Sequence, residues 1–179
     1  METTATNLLF ITTDQQRFDS LPCYGLDFMQ TPNIDRLAAE GVVFERCYTP
    51  APVCVPCRAA WMSGQWPSTS GVLSNGQWLD DSTPTWPALM SAAGFRTAAI
   101  GKMHFMPWDI SGGFDERVIA EDKRHVYLPD DHYQYLRAHG IERPHPTSNP
   151  GYFDWVGASV FPHDRKFHVD GYTGDRAAE

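Results

Sequence analysis

The segment Cys54–Arg58, which reads Cys-Val-Pro-Cys-Arg, has the residue types and spacing most specific for chemistry in this chain. A cysteine pair of this spacing at the start of a helix is typical of thiol–disulfide proteins, because a helix N-terminus favours a thiolate. The pair could also be half of a zinc site, but Cys23 and Cys47 do not form the second CxxC pair that such a site needs. Cys-x-Pro-x-Arg is, thirdly, the recognition core for oxidation of a cysteine to formylglycine. These residues alone leave the three interpretations open, beside that of an inert buried cysteine.

Two further polar clusters follow stretches that are predicted to be strands. Asp14 comes directly after the apolar, β-branched run Asn7–Thr13, and Lys102–His104 follows the run Phe95–Ile100. Ligands of an open parallel sheet bind in the crevice beyond the carboxyl ends of its strands. We therefore expect both clusters and the cysteine motif to meet at the same edge of the sheet.

The order of the predicted elements indicates an α/β fold with a mostly parallel sheet flanked by helices. Short apolar runs predict three strands, at Asn7–Thr13, Val42–Tyr48 and Phe95–Ile100. Helical spacing with end signals predicts helices between Thr31 and Gly41, from Pro56 to Gly64, over Trp86–Ala93 and over Asp130–His139. Loop composition covers Gln65–Asp81, and Asp175–Glu179 has the composition of a helix's first turn.

Composition and charge exclude several classes of function. The 179 residues include 14 Lys and Arg against 22 Asp and Glu, a formal net charge of −8, whereas nucleic-acid binding needs a basic surface. No run of apolar residues is long enough to predict a membrane-spanning helix. The four cysteines do not make a disulfide framework, and the first residues lack the pattern of a signal peptide. We therefore expect a cytoplasmic protein that binds neither nucleic acid nor membrane, or a periplasmic or secreted one whose leader has been removed.

Around these motifs the sequence resembles the sulfatase family of the alkaline phosphatase superfamily. The matching segments follow the order of the family and are Asn7–Asp14, Tyr24–Gly25, Thr31–Gly41, Val42–Phe44, Cys54–Gly64 and Ala93–His104. The resemblance implies an alkaline-phosphatase-like fold, incomplete in this chain, and the activity of a sulfuric ester hydrolase. Residues 1–179 would form the amino-terminal portion of the sulfatase catalytic domain, with the core motifs in 7–104 and variable substrate loops in 105–179.

The resemblance implies that a formylglycine-generating enzyme converts Cys54 to formylglycine, whose hydrate attacks a small-molecule sulfate ester. It assigns a divalent cation to Asp14, Gln15 and the modified Cys54, with calcium as the first choice and manganese or magnesium as alternatives. Oxygen ligands suit these hard cations. Besides the substrate and the modifying enzyme, the remainder of a sulfatase chain is the expected partner.

The same resemblance assigns the other site residues. Arg58 matches an arginine that steadies the formylglycine hydrate, and Lys102 matches a lysine that binds sulfate and nucleophile oxygens. His104 matches a histidine that helps to deprotonate the second hydroxyl, and Asn75 lies in the loop where relatives place a substrate-contacting amide. The expected catalytic set is therefore Cys54, Arg58, Lys102 and His104, with Asn75 and Lys102 as the substrate-binding residues.

Two features keep other functions open. Many sulfatases carry a second acid where this chain has Gln15, whereas phosphonate monoester hydrolases and some choline-sulfatase relatives resemble this chain in this respect. A phosphonate or phosphodiester substrate is therefore an alternative. A thiol-redox or non-catalytic binding protein that uses Cys54 and Cys57 is the alternative from a different class. Family members supply further metal ligands in a later part of their sequence. The isolated chain is therefore expected to be an inactive fragment.

Overall fold

The computed structural model describes residues 7–26, 28–121, 128–143, 154 and 160–179, and the chain divides into two compact units, Met1–Thr49 and Pro50–Glu179. The described helices, numbered in chain order, are α1 (Pro32–Glu40), α2 (Cys54–Ser63), α3 (Pro67–Ser70), α4 (Trp86–Ala92), α5 (Asp131–Ala138) and α6 (Val169–Ala178). The described strands are β1 (Ala98–Gly101) and β2 (Glu116–Ile119). Short 3-10 helices lie at Phe18–Ser20, Pro22–Tyr24 and Arg165–Phe167.

The first unit is built around α1, which packs against the 3-10 turn Pro22–Tyr24. Pro32 suits the first turn of a helix, where no backbone N–H is needed, and Gly41 ends the helix. A carboxylate oxygen of Asp35 accepts the Cys23 amide hydrogen with an N···O distance of 3.2 Å and joins the helix to the turn. The helix predicted for this segment is confirmed.

Neither apolar run of the first unit forms a strand. The predictions of strands at Asn7–Thr13 and Val42–Tyr48 are wrong, since neither segment has a strand partner within the described part of the chain. A strand exists only where a neighbouring segment satisfies its backbone N–H and C=O groups. The large apolar side chains of both runs are exposed, Leu9 to 81%. Apolar composition therefore does not bring burial with it here.

The sheet of the second unit consists of β1 and β2, which pair in parallel with Ala98 opposite Glu116 and Gly101 opposite Ile119. The predicted strand Phe95–Ile100 is confirmed for its second half and extends by one residue. The sequence pattern does not predict β2, because four residues after a glycine-rich loop are too few to establish an alternation of apolar and polar side chains.

Asp115 ties the first ends of the two strands together. Its Oδ2 accepts hydrogen bonds from the Thr97 amide and hydroxyl with donor–acceptor distances of 2.8 and 3.0 Å. The Ser91 hydroxyl donates to Oδ1 over 2.7 Å. These hydrogen bonds, led by that of the Thr97 amide, hold the pKa of Asp115 below its usual value. The loop before β2 is thereby fixed to the residue before β1.

Helix α2 forms the core of the second unit and contacts α3 and α4. The buried cluster combines α2 with loop residues and β2, and it comprises Val55, Ala59, Met62, Val72, Leu79, Met103, Phe105 and Ile119. The helices predicted from Pro56 to Gly64 and over Trp86–Ala93 are confirmed to within two residues. The single turn of α3 lies inside Gln65–Asp81, which was expected to be loop throughout, because Pro67 can open a helical turn.

Helix α5 begins at a side-chain cap, since Oδ1 of Asp130 accepts the Tyr133 amide hydrogen over 2.8 Å. This confirms the helix predicted over Asp130–His139. Arg143 forms an ion pair with Asp130, and both side chains are almost completely buried. The start of α5 therefore contains a buried ion pair.

Helix α6 begins at Val169, earlier than the first turn predicted at Asp175–Glu179. The cap is the side chain of His168, which sequence rules for helix starts do not favour, and glycines at 171 and 174 dilute the helical pattern. The helix packs on β1 so closely that a Cβ at Gly101 would lie 2.9 Å from the Thr173 methyl group. None of the described helices has both the length and the apolar composition needed to cross a bilayer.

Candidate active site

The first turn of α2 carries Cys54, the first residue of the helix, which is half-buried. The N-cap residue Val53 offers no side-chain hydrogen bond to the exposed amides of that turn. Asn75, from the loop that follows α3, supplies it instead, because its Oδ1 accepts the Val55 amide hydrogen over 3.0 Å. The residue expected to contact substrate is therefore a helix cap donated from elsewhere in the sequence, one residue away from the cysteine.

Lys102 follows directly on the last residue of β1, and its ammonium group reaches the start of α2. The distance from its Nζ to Sγ of Cys54 is 3.6 Å, although 48 residues separate the two in sequence. The rule that the ends of parallel strands and the starts of helices meet at one edge explains this contact. The structure thus brings together two of the residues that the sequence selects for chemistry, a nucleophile position and a cation.

Arg58 lies one turn beyond Cys54 on α2 and is buried. Its Nη1 donates to the backbone carbonyl of Lys102 over 2.6 Å, and its guanidinium carbon lies 5.6 Å from the centre of the Trp61 ring. A buried guanidinium needs such partners to offset the loss of hydration. In the described geometry Arg58 therefore ties the segment after β1 to α2.

His104 is buried and has a backbone φ of +53°, a left-handed conformation that is uncommon for residues other than glycine. Its backbone N–H donates to Oε1 of Glu121 over 2.8 Å, and the Met103 N–H donates to the same oxygen over 3.3 Å. Both amides of this turn are thus held by one carboxylate. Glu121 is itself buried, two residues past the end of β2.

Sequence reasoning did not select Glu121, although a signal for it exists. Glu121 is the second residue after β2 and Lys102 the first after β1, and the parallel pairing brings the two strand ends together. The rule that selected Lys102 would have selected Glu121 as well, had β2 been predicted. The miss therefore follows from the missing strand.

Asp14 and Gln15 belong to the first unit, and their predicted place near Cys54 stays a prediction. Asp14 lies in an exposed bend, and Gln15 has a left-handed φ of +52°. The carboxylate and the carboxamide offer two oxygen ligands of the kind that calcium prefers, whereas calcium takes roughly six to eight. Within the described residues no group of three or more His, Cys, Asp or Glu side chains could hold a metal ion. These residues fit part of a cation site and do not complete one.

The geometry also bears on the thiol-redox alternative. Cys54 and Cys57 are not joined by a disulfide, and Cys57 is buried in the helix. Thiol exchange needs an accessible sulfur on each partner in turn. An ammonium group beside Cys54 would suit a thiolate as well, so the burial of Cys57, and not the Lys102 contact, is the observation against the redox interpretation.

Comparison with known proteins places the sequence among sulfatases. The family model Sulfatase matches residues 6–154. The N-acetylglucosamine-6-O-sulfatase of Bacteroides thetaiotaomicron is 35% identical in an alignment 123 residues long that covers 65% of this chain and 22% of that protein. The choline-sulfatase of Rhizobium meliloti is 38% identical over 121 residues, which are 68% of this chain and 24% of that protein. The chain thus spans about a quarter or less of the length of these curated relatives.

Solved structures agree with the predicted α/β class. A protein solved in complex with its substrate D-glucosamine-2-N,6-O-disulfate matches with a TM-score of 0.51 at 35% identity, over 55% of this chain and 20% of that one. The phosphonate monoester hydrolase of Agrobacterium radiobacter matches with a TM-score of 0.70 over 93% of this chain and 36% of its own, and at 21% identity it indicates the fold alone. The expected alkaline-phosphatase-like fold, present in part, is confirmed. With a family match over 6–154, the chain belongs to the sulfatase family.

Proposed function

We propose that this chain supplies the nucleophile segment of a sulfatase that hydrolyses sulfate esters through a formylglycine made from Cys54. The observation that carries the proposal is the 3.6 Å approach of Lys102 Nζ to Cys54 Sγ at the N-terminus of α2. An ammonium group and the positive end of a helix both favour an anion at the position where the nucleophile stands. Membership of the sulfatase family supports sulfate as that anion.

The hydrated aldehyde of formylglycine would supply two hydroxyl groups on one carbon. The oxygen of one would form a bond to sulfur while the ester S–O bond breaks and the alcohol leaves with a proton. Loss of the proton of the other hydroxyl would then reform the aldehyde as the C–O bond to sulfate breaks. Lys102 would bind the sulfate oxygens, and Arg58 would keep Lys102 in place through its bond to the Lys102 carbonyl. His104 would accept the proton of the second hydroxyl. Because Oδ1 of Asn75 accepts from Val55, a hydrogen bond from Asn75 to a substrate oxygen would come from its amide nitrogen.

Asp14 and Gln15 would contribute two oxygen ligands to a divalent cation, which the rest of a sulfatase and the modified Cys54 would complete. A cation there would neutralise charge on the sulfate oxygens. Oxygen ligands favour calcium, with manganese and magnesium as alternatives. The proposal therefore needs two partners, a formylglycine-generating enzyme and the remainder of the catalytic domain, of which 1–179 would be the amino-terminal portion.

The substrate class we propose is a small-molecule sulfate ester. Relatives named for N-acetylglucosamine-6-O-sulfate and choline sulfate, and a solved relative that holds a disulfated glucosamine, support it. These relatives differ in the alcohol part, which the proposal leaves unspecified.

Hydrolysis of phosphonate monoesters or phosphodiesters is the second candidate. Gln15 supports it, because phosphonate monoester hydrolases resemble this chain in lacking the second acid that many sulfatases carry there. Turnover of 4-nitrophenyl sulfate and of bis-4-nitrophenyl phosphate by the chain joined to the remainder of its catalytic domain separates the two candidates. A sulfate preference supports the first, and a phosphodiester preference supports the second.

The deciding experiment is tandem mass spectrometry of the tryptic peptide 47–58 after co-expression with an active formylglycine-generating enzyme. Conversion replaces one sulfur and two hydrogens by one oxygen, and we expect that change at Cys54. Cys57→Ser is the matched control and should leave the modification in place, whereas Cys54→Ser should abolish it. An unmodified thiol at Cys54 would contradict the proposal and favour a redox or binding role.

A further inference from the structure

We propose that Glu121 is a positioning residue that holds Lys102–His104 in the geometry of the candidate active site. The chemistry of the segment rests on the function proposed above, whereas the positioning itself rests on hydrogen bonds of this chain alone. Within the described part of the chain, the hydrogen bonds of the Glu121 carboxylate go to the Met103 and His104 amides and not to Cys54 or Lys102, so it would act through the backbone of two residues that follow Lys102.

The carboxylate of Glu121 accepts two backbone hydrogen bonds through one oxygen. The His104 N–H donates to Oε1 over 2.8 Å and the Met103 N–H over 3.3 Å, and Glu121 is only 4% exposed. A buried carboxylate is costly unless donors surround it. The two amides therefore offset the cost of burying the carboxylate, and the carboxylate in turn holds the two amides in place.

The segment needs an external anchor because regular structure ends before it. One backbone hydrogen bond continues the parallel pair past the end of β2, from the Ala120 N–H to the carbonyl of Gly101 over 3.1 Å. Beyond it, His104 adopts a left-handed φ that its Cβ disfavours. Arg58 holds the Lys102 carbonyl from the side of α2, and Glu121 holds the two following amides from the side of β2. The turn is thus fixed from both sides.

Glu121 is in turn held by α5. Its backbone N–H donates to Oδ2 of Asp130 over 2.8 Å, and Asp130 is 2% exposed. The same Asp130 caps α5 and pairs with Arg143, which balances its charge. A continuous set of buried contacts therefore leads from α5 to the turn at His104.

The test uses the whole 179-residue chain and amide hydrogen exchange followed by NMR. Glu121→Ala should speed exchange at Met103 and His104 by about tenfold, the size expected for loss of a buried hydrogen bond, without equal change in α2. Asp131→Ala is the matched control, because Oδ2 of Asp131 accepts the Ile119 N–H over 2.7 Å, a bond of the same kind on β2. It should leave the amides of Met103 and His104 unchanged.

Two further variants separate positioning from general stability. Glu121→Gln keeps an acceptor oxygen at the same reach and should restore exchange at both amides to near the original rates. Glu121→Asp keeps the charge but shortens the side chain, so it should behave like Glu121→Ala. Exchange that rises throughout β1, β2 and α2, or a Gln variant as impaired as the Ala variant, would overturn the proposal, and these two variants decide it even if Glu121→Ala does not fold.

A titration with inorganic sulfate keeps this inference distinguishable from the proposed function. In the original chain we expect sulfate to shift the amide signals of Lys102 and His104, and we expect Glu121→Ala to lose that response while Glu121→Gln retains it. A sulfate response that survives Glu121→Ala would overturn the positioning role. Absence of any response in the original chain would count against sulfate binding by Lys102, and the exchange comparison would still decide the role of Glu121.

Discussion

Apolar side chains of similar type are exposed in one segment of the first unit and buried in two helices of the second. In the first unit the run from Leu8 to Ile11 is exposed, whereas in the second unit Val55 and Leu136 are completely buried. The residue types are alike, and the difference lies in what surrounds them: α2 and α5 contact other elements of their unit, and the run at Leu8 has no strand partner among the described residues. The pattern of apolar residues indicates which side chains a segment could bury, and contacts with other elements determine whether those side chains are buried.

The largest expected difference concerns two ion pairs. Arg143→Ala would leave the buried Asp130 carboxylate without its guanidinium, and we expect the free energy of unfolding to fall by about 3–5 kcal/mol. Arg17→Ala removes the same side chain from an exposed pair with Asp19 in the first unit, and the urea midpoint should stay nearly unchanged. Urea denaturation followed by circular dichroism measures both. Equal losses of unfolding free energy in the two variants would contradict the expected difference between the buried and the exposed ion pair.

The same substitution at two leucines tests burial directly. Leu136→Ala creates a cavity at a completely buried site, and we expect a loss of about 2–5 kcal/mol in the free energy of unfolding. Leu9→Ala, at a side chain that is mostly exposed, should change it by less than about 0.5 kcal/mol. Thermal and urea unfolding of the two variants give the comparison. A large loss at Leu9 would mean that the first unit buries this side chain in solution.

Helix caps give a smaller contrast. Asn75→Ala removes the acceptor of the Val55 amide at the start of α2, and we expect a loss of about 1 kcal/mol and faster exchange of that amide. Thr31→Ala affects α1, whose N-cap makes no side-chain bond to the helix backbone, and should cost only a few tenths of a kcal/mol. Asn75→Asp keeps the acceptor and serves as the control. Similar costs for Asn75→Ala and Asn75→Asp would show that the hydrogen bond is not the cause.

The smallest expected effect is a dependence of stability on pH in the second unit. Burial lowers the pKa of His132, and the hydrogen bond to the Phe167 carbonyl only partly opposes this. The unfolded chain, in which histidine titrates near about 6.5, therefore binds the proton more readily than the folded chain. Stability should be full above that pH and should decline as pH falls below it. His132→Gln should reduce the decline in melting temperature as the pH falls. An unchanged decline in this variant would mean that another group causes it.

Local signals explain how much of the fold could be predicted. Pro32 and Gly41 bracket α1, Asp130 caps α5, and Gly64 follows α2, so each of these three helices carries an end signal within a few residues. The strands carry none of this information, because their existence depends on a partner far away in sequence. For this reason two strands were predicted without partners and β2 was missed.

In the candidate site, too, residues with a local sequence signal could be predicted and residues that depend on distant contacts could not. Cys54 and Arg58 could be selected from a short motif, and Lys102 from its place after a strand. Glu121 and the capping role of Asn75 depend on contacts between distant segments, with the Asn75 oxygen bonded 20 residues away and Glu121 bonded 17 residues away. Sequence reasoning therefore finds groups that react more readily than groups that position them.

The contact between Lys102 and Cys54 also has a consequence during synthesis. Because 48 residues separate the two, a ribosome that adds about 5–20 residues per second makes the cysteine roughly 2–10 s before the lysine. For those seconds the nascent chain contains Cys54 and Arg58 without the carbonyl, the ammonium group or the strand that later enclose them. The order of synthesis thus makes the cysteine before the groups that surround it in the folded chain.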